Sequence, residues 1–414
     1  MKYIYILFLL FGLLSCHNAD RVDNKDTPPL YCLKIDKPDF SSLKPMLLSE
    51  FVDSIGYVQL ETTPDCLLPY DRSGIIYGDF LFMVDLFSIL QFDANTGKFL
   101  RQIGRKGQGP GEYVQVNEAI DKDNNIVYVK SPNRSSSLLS YNFNGDYLGD
   151  LQFVDDPEYP TFSNCFYSLR LVYIDNQYAI FTASFMPKEQ ACQPFELIVY
   201  DYRNKKIKHA LANDMEGVYN RFSVNINGLR TISRNDDGFY YKTFYNDTLY
   251  SVDVEKGIEP YAIIDLGTRK YPVDDIFDNR RVDLAKVGKI LINSMLINDD
   301  CIYLELMFIN DGSLRSVSGF LYKFDINTGE SSYHSTVILN DIDGGKNTSI
   351  RSLLRETDPI TPLDMVEEGK EELVFSNVSK SKLKYPELKD KFDMMQSKRD
   401  PDDNPLLMKF YMEY

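Results

Sequence analysis

Two stretches of this chain, far apart, carry nearly the same phrase: ILQFDANTG at 89–97 and FLYKFDINTG at 320–329. Each is a β-rich run ending in an aromatic residue and Asp, followed by a turn of Asn, Thr and Gly and a second β-rich run. Asn and Gly accept left-handed backbone geometry, so the phrase predicts a β-hairpin. Weaker copies have their anchors at Tyr141, Tyr200, Val252 and Phe410, which makes six hairpins in all. A supersecondary unit repeated along most of a chain means that each unit buries its apolar faces against its neighbours.

The spacing of the copies narrows the architecture. The first three intervals are about 50 to 60 residues each, close to the roughly 40 to 50 that a four-stranded propeller blade occupies. Two further runs with strand character precede each hairpin, for example 74–77 with 80–85 and 363–366 with 372–375. The last two intervals are longer, and both contain apolar residues at helical spacing, in 273–288 and in 383–397. The expected fold is therefore all-β: a six-bladed β-propeller over 46–414 with short helical insertions in its last two blades. The sixth hairpin reaches the C-terminus after one strand, so the N-terminal run YVQLET (57–62) is expected to complete that blade and close the ring, removing open sheet edges. Two or three separate β-sandwiches would need Pro/Gly/Ser-rich linkers, and none follows residue 50. A hydrophobic share of 43%, with 29 Tyr, 26 Phe and no Trp, can supply such a core.

The first residues point to export. Lys2 precedes an apolar run at 4–14 that is too short to span a bilayer, and Leu13-Leu14-Ser15-Cys16 closes it. This is similar to the bacterial lipoprotein signal, and the similarity implies a signal peptide at 1–15 and acyl chains on Cys16. More than one chain on the same residue holds a protein firmly at a membrane. Residues 16–45, polar at their start and carrying a Pro pair, are expected to form a tether. The net charge of −16 opposes binding to nucleic acid or to anionic lipid headgroups, leaving the lipid as the membrane contact.

Chemistry is harder to read. Three His (His17, His209, His334) stand far apart and no C-x-x-C pair occurs, so neither a zinc site nor a His-based triad is expected, and no metal or cofactor is assigned. Besides Cys16 there are five cysteines, of which Cys165 and Cys192 are placed to bridge within one blade. The DKDNN run at 121–125 opens like a calcium loop but has Ile126 and Pro132 where Gly and Glu are required, so a polar turn is expected. GRKGQGPGEY at 104–113 is glycine-rich but lacks the signature of a phosphate loop, and it reads as a tight crossover between blades. Within it Arg105, Lys106, Glu112 and Tyr113 are the candidate binding residues.

Several blocks together resemble a known family: the lipoprotein signal, YVQLETT at 57–63, FDANTGKFLRQIGRKGQGPGEY at 92–113, NDTLYSVD at 246–253 and NPLLMKFYMEY at the C-terminus. They are similar to the six-bladed β-propeller lipoproteins of Bacteroidetes, relatives of the NHL-repeat propellers. The resemblance implies a ring on a lipid tether in the cell envelope, periplasmic or at the outer surface, and supplies no catalytic motif. Two functions stay open. One is a monomeric, non-catalytic binding or scaffold module whose loops engage an unknown protein, peptide or glycan. The alternative is a hydrolase or lyase at the central channel, with calcium as a candidate aid.

Overall fold

A computed structural model of the protein describes residues 30–68, 73–132, 136–157, 159, 162–166, 169–183, 195–212, 231–235, 238–243, 246–271, 286–312, 316–353, 360–362, 382–400 and 403–411. Three strands come first: β1 (Tyr31–Lys34), β2 (Lys44–Leu47) and β3 (Ser54–Gln59). Then follow antiparallel sheets, each traced in chain order. The first is β4 (Ser73–Tyr77), β5 (Phe80–Val84), β6 (Ile89–Asp93) and β7 (Phe99–Gln102). After the two-residue strands β8 (Arg105–Lys106) and β9 (Glu112–Tyr113) comes the second, β10 (Asn117–Asp121), β11 (Ile126–Lys130), β12 (Ser137–Asn142) and β13 (Tyr147–Gln152). One helical turn, α1 (Phe162–Cys165), leads to the third, β14 (Leu169–Ile174), β15 (Tyr178–Ala183), β16 (Phe195–Asp201) and β17 (Lys206–Ala212). The fourth is β18 (Thr231–Asn235), β19 (Gly238–Lys242), β20 (Thr248–Asp253) and β21 (Gly257–Asp265). The fifth is β22 (Ile290–Ile297), β23 (Cys301–Ile309), β24 (Val317–Asp325) and β25 (Ser331–Leu339). After α2 (Ile350–Leu353), β26 (Ile360–Pro362), α3 (Glu387–Ser397) and β27 (Leu406–Tyr411), the last sheet has the order β26-β27-β3.

Among the described residues this is a β-propeller of five blades, not the expected six. The pair of strands expected at 363–366 and 372–375 lies outside the described residues. Instead β26 pairs with β27, from Ile360 opposite Lys409 to Pro362 opposite Leu407. The three-stranded sheet packs between the fifth and first blades. On one side Ile55, Tyr57, Leu406, Met408 and Phe410 share a core with Tyr303, Leu321 and Ile338. On the other, Val58, Leu60 and Leu407 pack on Leu81, Met83 and Phe92. The ring is closed as expected by a strand from the N-terminal side, β3, which pairs antiparallel with β27 from Ser54 opposite Tyr411 to Gln59 opposite Leu406.

The repeated phrase is the turn between third and fourth strands, and one residue organises it in all five blades. The last residue of the third strand is Asp93, Asn142, Asp201, Asp253 or Asp325. In each case its side-chain oxygen accepts N–H groups two to four residues ahead, as Asp93 does from Asn95 and Thr96 at 3.0 and 2.7 Å and Asp325 from Asn327 and Thr328 at 3.0 and 2.7 Å. The glycines that end the two close copies, Gly97 and Gly329, have φ of 72° and 74°, where a β-carbon is disfavoured.

Two features depart from the expected layout. Part of the segment expected as tether is paired with the ring, since β1 adds in parallel to the outer edge of β21 and β2 to that of β25. This strap fixes itself by burying Leu33 and Ile35 in one core and Met46 and Leu48 in the next, each contributing about 1.5–3 kcal/mol. Of the two helical insertions, α3 is present and packs Phe392 against the ring of Tyr57 at 5.1 Å. The other falls largely in 272–285, outside the described residues.

Around the axis the innermost strands are tied to one another. Asn117 on β10 accepts from the Leu171 N–H at 2.9 Å and donates to the Leu171 carbonyl at 3.3 Å. Between the fourth and fifth blades the Ile297 N–H donates to Ser233 Oγ at 3.0 Å.

Candidate functional site

In an antiparallel four-stranded blade, the turn between second and third strands lies at the same end as the crossover into the next blade. The first such turn, 85–88, and the crossover at 103–116 are accordingly adjacent, with the Val116 N–H donating to the Leu86 carbonyl at 3.0 Å. Asp85 shapes the turn, its carboxylate accepting from the N–H groups of Phe87 and Ser88 and from the Ser88 hydroxyl. Its two apolar residues are left facing solvent, Leu86 53% and Phe87 42% exposed. Lys106 lies over the Phe87 ring, with Nζ 3.9 Å from its centroid.

The glycine-rich segment is a tightly packed crossover. Its two short strands pair in parallel, Arg105 opposite Glu112 and Lys106 opposite Tyr113. Glu112 accepts from the Gly109 N–H at 2.8 Å and from Arg105 Nε at 2.7 Å, and these donors, the backbone one foremost, hold its carboxyl below the usual range. A β-carbon on Gly107 would lie 2.0 Å from Glu112 Oε2, and one on Gly111, whose φ is 65°, 2.8 Å from the Tyr147 ring, so a side chain at either would displace Glu112 or Tyr147. Tyr113 is fully buried, donates to the Ile103 carbonyl at 2.9 Å, and has its phenol pushed up by burial.

The four residues singled out in the sequence thus have different surroundings. Arg105, with 77% of its side chain exposed, and Lys106 present cationic groups to solvent. Glu112 and Tyr113 point back into the loop and the core. Leu86 and Phe87 complete the surface patch. Sequence reasoning passed over them, although an apolar pair between Asp85 and Ser88 in a turn is a visible signal. Cys16 lies outside the described residues, as does Cys192.

Among the described residues no group of three or more His, Cys, Asp or Glu could hold a metal ion. Asp121 accepts from the N–H groups of Asp123 and Asn124, which makes DKDNN a hairpin turn. Cys66 and Cys301 are free thiols.

A family model described as "Domain of unknown function (DUF4934)" matches residues 30–411, which takes in the strap, all five blades and the closing strands. The chain belongs to the DUF4934 family. Its start at residue 30 coincides with the strap rather than with the predicted domain start at 46. Among solved structures this DUF4934 protein resembles a candidate exported protein of Bacteroides fragilis, with 14% identity and a TM-score of 0.55 over 93% of this chain and 100% of that one. A member of the DUF4221 family from Bacteroides vulgatus aligns with 13% identity and a TM-score of 0.42 over 87% and 96% of the two chains. At such identity the first similarity concerns the fold. No curated protein matches the sequence. Among the described residues no helix is long and apolar enough to cross a membrane.

Proposed function

We propose that this protein is a lipoprotein of the cell envelope, anchored through Cys16, whose propeller is a non-catalytic binding or scaffold module. It engages a protein, peptide or glycan through the end of the ring that carries the blade-to-blade crossovers. The observation that carries this reading is the patch of Leu86, Phe87, Arg105 and Lys106, in which a cation stacked on an exposed aromatic ring sits on a loop held rigid from behind. Aromatic and Arg side chains are the groups that interfaces favour, and a rigid loop loses little entropy on binding. The Leu-Leu-Ser-Cys signal and the shared fold with a candidate exported protein of Bacteroides support the envelope setting.

Affinity capture from envelope membranes tests the module. Wild type and a double variant, Phe87→Ser with Lys106→Glu, are compared, and the double variant should fold normally and lose the specific partner. Identical capture by both would sink the assignment of the patch. Labelling with a tagged fatty acid tests the anchor, since wild type should incorporate it and Cys16→Ala should not.

A further inference from the structure

Four outer strands share one irregularity. In each, a single residue bulges out between two paired positions: Leu100 in β7, Leu148 in β13, Lys208 in β17 and Tyr261 in β21. In the fourth blade the strap covers this place. There β1 begins opposite Ala262, the Tyr31 ring packs edge-on against Tyr261 at 5.4 Å, and Leu33 lies buried opposite Ile264. A parallel fifth strand laid just past the bulge is thus an arrangement this ring already uses.

The remaining outer edges differ in how they are protected. The edge of the fifth blade is taken by β2. In β17, Lys206 and Lys208 supply the charges that keep foreign strands off an edge. At the start of β7 the Phe99 N–H is held by the Glu61 carboxylate at 2.9 Å. By contrast β13, reading YLGDLQ, has neither Lys nor Pro, and among the described residues no strand pairs with its outer side. Its bulge residue Leu148 is 54% exposed and Tyr147 40%. Gly149, Asp150, Leu151 and Gln152 stand, by their registers, where Ala262, Ile263, Ile264 and Asp265 stand under the strap.

We infer that the outer edge of β13 is a docking site for an extended peptide segment of a partner protein. The segment adds as a parallel fifth strand, with an aromatic residue over Leu148, a basic residue opposite Asp150 and an apolar residue opposite Leu151. The first and third positions copy Tyr31 and Leu33 of the strap. The basic position follows from charge: Asp150, whose Oδ1 accepts from the Tyr147 hydroxyl, stands on β13 and Asp146 in the turn that leads into it, in a chain of net charge −16. Pairing with a second copy would set those carboxylates against one another, whereas Lys or Arg complements them. This surface is separate from the loop patch, and neither proposal depends on the other.

The probe is a labelled peptide of residues 30–35 carrying Cys32→Lys, titrated into the full chain and followed by fluorescence anisotropy and amide hydrogen exchange. Saturable binding in roughly the micromolar range is expected, with new protection at 149–152. Leu148→Lys and Asp150→Lys should each weaken it by about tenfold or more. Asp150→Lys should also come to prefer a peptide carrying Cys32→Glu. If Asp150→Lys does not fold, the solvent-facing Leu148→Lys variant decides alone. The inference is overturned by no saturation up to about 1 mM, by protection at 262–265 instead, or by variants that bind like wild type. A wild-type dimer that Leu148→Lys dissociates would also overturn it, by making the occupant a second copy.

Discussion

The Tyr57 hydroxyl donates a 2.5 Å hydrogen bond to Asp343 Oδ2, joining the closing strand to the loop that follows the fifth blade across 286 residues of sequence. Asp343 is fully buried, and its other oxygen accepts from the Gly345 N–H at 2.8 Å. Tyr57→Phe would leave a buried carboxylate oxygen short of its donor, a loss of about 1–3 kcal/mol. Thermal or denaturant unfolding checks this, and an unchanged midpoint would show that the bond does not hold the seam.

Gly97 makes the first turn a part of the closure as well. Its carbonyl accepts from the Glu61 N–H at 2.9 Å, and a β-carbon there would lie 1.9 Å from the Gln59 carbonyl oxygen. Gly78 has a similar positive φ of 55° but open space around it. Gly78→Ala should therefore cost only the backbone preference, about 1–2 kcal/mol, and Gly97→Ala clearly more. Equal losses in the two variants would contradict the close approach of strand and turn.

Gln91, in the third strand of the first blade, is fully buried, and among the described residues neither of its amide atoms has a hydrogen-bond partner. Gln91→Met keeps the length of the side chain and removes the polar atoms. Its expected effect is stabilisation of up to about 1–3 kcal/mol, read as a higher unfolding midpoint. A lower midpoint would mean that the amide serves a purpose in the folded ring.

Stability should fall at both ends of the pH scale. Asp93 and Asp325 are held below the usual carboxylate range, chiefly by the N–H groups of Thr96 and Thr328, so their contribution is present above about pH 4 and lost as pH falls. Burial pushes the Tyr128 and Tyr322 phenols up to about 12, and burial with Asp343 raises Tyr57 further. These groups favour the fold below about pH 10, and their contribution is lost as pH rises through the folded values. Tyrosinate absorbance should therefore appear together with loss of β circular dichroism. Ionisation of most tyrosines with the fold intact would contradict their burial.

Much of the ring is legible in the chain because its repeating parts are local. Asp93 and Asp325 bond to N–H groups two and three residues ahead, so the turn is written in consecutive letters and recurs in five copies. The fourth-strand bulges and the sixth hairpin are another matter. Val252 and Phe410 look alike as anchors, yet Val252 is followed by a capping Asp253 and Phe410 by Tyr411, and only the former leads into an outer strand.

The glycine-rich segment shows where such reading ends. That GRKGQGPGEY crosses between blades follows from its composition and position. That Arg105 and Lys106 face water while Glu112 and Tyr113 turn inward depends on the backbone of Gly109 and Ile103 and on the neighbouring ring of Phe87.

By itself the sequence determined the hairpin unit with its Asp or Asn before the turn and the closure of the ring by an N-terminal strand, since the first is a local pattern repeated along the chain and the second follows from the one strand that the last copy lacks. Tertiary structure alone decided the five blades found among the described residues, the strap on the fourth and fifth, the buried Tyr57 to Asp343 bond and which outer strand, among the described residues, has no strand paired on its outer side. Those depend on which distant surfaces meet once the ring closes, and no local spacing encodes that.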